Sequence, residues 1–107
     1  MIDDPVEVDI LMGKMERHLP IAARGTGALV RFLRGSEVSL PASRRVQIVR
    51  VFYLGDEGGI ACDVTLPGRD SALVVSLTHL RLDGGHTLSK DVRVYQSKRS
   101  RALARGQ

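Results

Sequence analysis

Between Arg44 and Leu82 the chain sets out three β-rich runs separated by short breaks, and this pattern constrains the fold more than any other feature. RRVQIVRVFYL, residues 44–54, is dense in β-branched and aromatic side chains, which suit a pleated, half-buried surface. Strand side chains alternate between faces. Val46, Ile48, Phe52 and Leu54 are therefore expected on one face, and Val49, Val51 and Tyr53 on the other. Apolar residues on both faces predict a central strand. IACDVTL, residues 60–66, sets Ile60, Cys62, Val64 and Leu66 against Ala61, Asp63 and Thr65. ALVVSLTHLRL, residues 72–82, is the third run. Its alternation shifts at Thr78-His79, which predicts a bulge or a strand end there.

The breaks read as turns. PGRD, residues 67–70, carries the Pro-Gly signal of a type II turn, with glycine taking the positive φ. GDEGG, residues 55–59, places two acids between glycines. With Leu54 facing Ile60 it becomes a three-residue hairpin loop whose Gly58 supplies the positive φ. A calcium loop needs about six oxygens at alternating spacing, and two carboxylates fall short. Asp83-Gly84-Gly85 closes the third run, and Val38 and Leu40 add a short edge strand.

Either side of this region the apolar period is helical. Asp4-Pro5 reads as N-cap and first helical residue. Val6, Ile10, Leu11, Met15 and Leu19 then form a stripe that predicts a helix over 5–18, ended by Leu19-Pro20. GTGALVRFLRG, residues 25–35, favours a two-turn helix over a strand, with Thr26 or Gly27 as cap, Gly35 as stop, and Leu29, Val30, Phe32 and Leu33 on one side. Residues 87–105 place Leu88, Val92, Tyr95, Ala102 and Leu103 on one helix face, with Arg99 inside the stripe. An arginine there predicts that burial fades after Tyr95. The expected fold is α+β: one domain over 1–107, a three- to four-stranded antiparallel β-meander packed against N- and C-terminal helices.

Composition narrows the function classes. One cysteine excludes an intramolecular disulfide framework and a four-cysteine zinc site. The acidic start, MIDDPVEVD, is unlike a signal peptide, and no apolar window is long enough for a membrane span. A soluble cytoplasmic protein is the expectation. The net charge of +4 is concentrated at the C-terminal end. There Lys90, Lys98, Arg101 and Arg105 gather on one helix face, while Arg93 projects to the side. Such a face is ordinarily just solvated; its functional reading is a surface for nucleic acid or an acidic partner. Against single-stranded nucleic acid, Phe32, Phe52 and Tyr95 look committed to packing.

The remaining chemistry is sparse. His79, Asp83 and His86 surround a strand end and form an adequate ligand set for zinc, although a strand end fixes no geometry for them; a capping role is the alternative. His18 at the end of the first helix suits the carbonyl end of the dipole. Cys62 alternates with core residues and reads as a small hydrophobe; a catalytic Cys62–His79 pair would need the two to meet. Gly25-Thr26-Gly27 before a helix could hold an anion, but no phosphate-loop motif accompanies it. The leading expectation is a non-enzymatic interaction module with a protein partner or self-association, no cofactor and no membrane. A nucleic-acid module on the basic helix is the first alternative. A metalloprotein or hydrolase at His79, Asp83 and His86 is the second.

Overall fold

The computed structural model describes residues 2–68, 70 and 72–106. The elements are α1 (Pro5–Glu16), β1 (Ile21–Gly25), α2 (Gly27–Phe32), β2 (Arg45–Tyr53), β3 (Ile60–Thr65), β4 (Leu73–Ser76), a 3-10 turn (Leu77–His79), β5 (Leu80–Leu82) and α3 (Ser89–Ala104). The protein is α+β as expected, but the antiparallel sheet has five strands, in the order β4-β3-β2-β1-β5.

That order forces the sheet to curl. β4 and β5 occupy opposite edges, yet only the three residues of the 3-10 turn separate them in the chain. A flat five-stranded sheet would hold its edges about 19 Å apart at about 4.8 Å per strand. Four fully extended residue steps reach only about 14 Å. The third apolar run is therefore two strands rather than one, and the shift at Thr78-His79 marks the change of edge. Gln96 of α3 secures this corner by donating from Nε2 to the carbonyls of Leu77 at 2.7 Å and Leu80 at 2.6 Å. Thr26 caps α2 by accepting from Leu29 N, and donates from both N and Oγ1 to the His79 carbonyl.

Three expectations about faces need correction. Between Ile48 and Arg50 the β2–β3 register shifts by one residue, leaving Val49 as a bulge. The extra residue exchanges the faces beyond it, so Val51 joins Val46 and Ile48 in the core while Leu54 points outward. The hairpin pairs Tyr53 with Ile60, not Leu54 with Ile60. Its loop is consequently four residues long, closed by Leu54 N donating to the Gly59 carbonyl. Gly55 and Gly59 hold the positive φ values, 79° and 61°, rather than Gly58. In α1 the buried line is Val8, Leu11 and Met15, whereas Val6 and Ile10 face outward. Both lines have helical spacing, and the neighbours of α1 decide which one is covered.

Two further details differ. Residues 38–40 form no strand; Val38 and Leu40 pack against the core from a loop. In the expected turn at 67–70, Gly68 has φ 79°, as a type II turn requires, while Arg69 lies outside the described residues. The core gathers Val8, Leu11 and Met15 of α1, Leu29 of α2, the inward residues of all five strands, and Val92 and Tyr95 of α3.

Candidate functional site

The helices that the sequence sets out meet at a buried polar cluster where the segment before α1 and the middle of α3 close over the hairpin loop. Arg99 does not end the buried face of α3. It is 3% exposed, and Ala102 beyond it is buried too. Its Nη1 donates to Asp3 Oδ2 at 2.8 Å, and Nη2 donates to the Asp56 carbonyl at 2.6 Å. Tyr53 and Tyr95 donate to the same Asp3 oxygen at 2.9 and 3.5 Å. Tyr95 also accepts from Ile60 N, and Asp56 Oδ1 accepts from Ile2 N. The two buried charges, Asp3 and Arg99, are paired with each other, as burial demands. Gly59 explains why the loop can lie so close. A Cβ there would collide with the Tyr95 hydroxyl and come within 2.8 Å of the Arg99 guanidinium. Burial, reinforced by the hydrogen bond to Asp3, pushes Tyr53 up to about 12. Burial likewise pushes Tyr95 to about 12, against the opposing pull of the bond from Ile60.

Above this cluster α1 and α3 run antiparallel, joined by Lys98–Glu7 at 2.8 Å and Lys14–Asp91 at 3.1 Å. Between them lies an open groove of about 630 Å³. Ile10 and Val94 flank it, 55% and 46% exposed, with Arg101 and Arg105 along its α3 side. The four basic residues expected to share a face are thus divided. Lys98 is held by Glu7, while Lys90, Arg101 and Arg105 stay exposed without an ion pair among the described residues. Leu103, expected inside, is 48% exposed. Phe32, also expected to pack, is 67% exposed, and its ring lies tilted by 45° against His79, 5.5 Å between centroids.

The His79, Asp83 and His86 set is dispersed. His79 faces Phe32, His86 lies 5.6 Å from His18, and Asp83 Oδ1 accepts from Gly85 N. Among the described residues no group of three potential ligands could hold a metal ion. Burial lowers the pKa of His79. His18 Nδ1 lies 2.8 Å from the Lys14 carbonyl, in the capping position expected of it. Cys62 is fully buried, and burial, followed by the Asp63 charge, pushes its thiol up to about 12. A thiol that holds its proton so firmly is a poor nucleophile. The start of α2 has a six-residue helix behind it and Thr26 as its cap, so its N–H groups are already partly used.

No sequence signal pairs Arg99 with Asp3, because they stand 96 residues apart. The hint available was Arg99 inside an apolar stripe, which requires either the end of burial or a buried partner. No known protein family, curated protein or solved structure matches the chain.

Proposed function

We propose that the chain is a non-enzymatic interaction module whose α1–α3 face docks a second copy of the same chain. The observation that carries this reading is the pair of exposed apolar residues, Ile10 and Val94, flanking an open groove between helices of opposite charge. α1 carries Glu7, Asp9 and Glu16 against Lys14, whereas α3 carries Lys90, Arg93, Lys98, Arg99 and Arg101 against Asp91. A two-fold arrangement lays each acidic α1 over the partner's basic α3 and makes the same contact twice. Apolar residues ringed by complementary charge are the usual anatomy of such a surface.

The acidic partner expected for Arg101 and Arg105 is then α1 of the second copy. The buried, unbridged Cys62 suits a reducing, cytoplasmic setting, and among the described residues no helix is long and apolar enough to cross a membrane. Light scattering tests the reading: the chain should have twice its 11.7 kDa mass, and the double variant Ile10→Glu/Val94→Glu should have the single mass. A parent chain that stays monomeric at high concentration would remove it.

A further inference from the structure

We propose that the outer sheet face formed by β5, β1 and β2 binds the phosphate backbone of a nucleic acid through Arg81, Arg24 and Arg45. The strand register sets these residues side by side: Arg24 lies opposite Arg81 on one flank and opposite Arg45 on the other. All three are exposed, and none joins an ion pair among the described residues. Like charges directly opposite one another destabilise a sheet. Elsewhere on the sheet the same problem is solved by pairing, for Arg50 lies opposite Asp63 and bonds it at 2.9 Å. The arginine row lacks that remedy, so an anion from outside the chain is the partner that would relieve it.

The surroundings fit a backbone rather than bases. The row borders a depression of about 350 Å³ lined also by Ala22, Ala23, Leu82, Asp83 and Gly84. Small residues there allow close approach, and no aromatic side chain lines the depression to stack a base. Asp83 is its one carboxylate, and Oδ1 of that group is turned onto Gly85 N at 3.3 Å. Three adjacent strands span about 10 Å at about 4.8 Å each. Along that length one strand of a duplex presents about three phosphates, one per ~3.4 Å of rise. Arginine forks match phosphate oxygens bidentately. This surface is separate from the α1–α3 groove and does not depend on self-association.

The test is fluorescence polarisation with a fluorescein-labelled DNA duplex of mixed sequence, titrated between about 50 and about 200 mM salt. Three phosphate contacts predict a slope of log affinity against log salt of about −2.7. Arg24→Gln should reduce its magnitude by about 1, and Arg24→Gln/Arg45→Gln/Arg81→Gln should abolish it. The urea midpoint should not fall in either variant, because each removes like-charge neighbours. If the triple variant does not fold, the single variant decides alone. The proposal is overturned by absence of duplex binding at the lowest salt, by a slope unchanged in Arg24→Gln, or by a slope lost in Arg101→Gln/Arg105→Gln but kept in the sheet variants. Binding to phosphatidylserine vesicles without binding to the duplex would overturn it equally.

Discussion

Replacing Asp3 by alanine should destabilise the protein by about 3 kcal/mol, although Asp3 lies at the very start of the chain. Asp3 and Arg99 are each 3% exposed at the side chain, and their ion pair measures 2.8 Å. Removing one partner of a buried pair costs about 3–5 kcal/mol, because the other charge is left buried and unmatched. Two features pull the value to the lower end. Arg99 keeps its bond to the Asp56 carbonyl, and the segment before α1 can loosen to admit water. Equilibrium urea unfolding reads the effect. At about 1–3 kcal/mol per molar urea, the midpoint should fall by about 1–3 M. The double replacement Asp3→Leu/Arg99→Met should recover only part of this loss: it removes the unmatched charge, but the Tyr53 and Tyr95 hydroxyls lose their Asp3 acceptor and the Asp56 carbonyl loses its Arg99 donor. Lys98→Gln, which breaks the exposed pair with Glu7, should cost no more than about 1 kcal/mol. If Asp3→Ala costs as little as Lys98→Gln, the cluster is not buried as described and the reasoning fails.

Other consequences follow from the same contacts. Tyr53 and Tyr95 hold their protons up to about 12 in the folded state, against the ordinary 10, and Cys62 holds its proton to about 12 against 9. The folded chain therefore binds more protons than the unfolded one across this range. Stability should fall steadily from about pH 9 to pH 12 in urea titrations, and Tyr95→Phe with Cys62→Ala should flatten that fall. His79 titrates below its ordinary range because of burial. It should thus contribute a loss of stability as pH drops through about 6.5, a loss absent in His79→Gln. Gln96→Ala removes the side-chain donor to the Leu77 and Leu80 carbonyls, of which Leu77 keeps the Leu80 N–H; a cost of about 1–2 kcal/mol is expected in urea unfolding. Gly59→Ala drives a methyl into Tyr95 and Arg99 at a positive φ, so its thermal midpoint should drop by several degrees, as expected for ~1 kcal/mol or more.

The sequence carried the helices and β3 through local signals. Asp4 caps α1 by accepting from Val6 N and Glu7 N, Thr26 caps α2, and Ile60, Cys62, Val64 and Leu66 are all buried. What it hid depends on distant neighbours. β1 is IAARG, whose alanines and glycine are poor strand formers, and it is a strand because β2 and β5 pair with it on both sides. The Val49 bulge moved Val51 inward and removed the apolar outer face expected from Val49, Val51 and Tyr53. Arg99 reads as a break in a stripe until Asp3 is placed beside it. The arginine row is invisible along the chain because residues 24, 45 and 81 meet only through pairing.

The most direct test of the α1–α3 docking surface is charge exchange between two chains, followed by light scattering. One chain carries Glu7→Lys on the groove side of α1, and the other carries Arg101→Glu/Arg105→Glu on α3. Each alone sets like charges across both halves of the two-fold contact and should be monomeric. An equimolar mixture restores opposite charges in both halves and should yield a heterodimer of twice the single mass. A mixture that stays monomeric while the parent chain dimerises would show that the copies meet elsewhere, and would contradict this account of the groove.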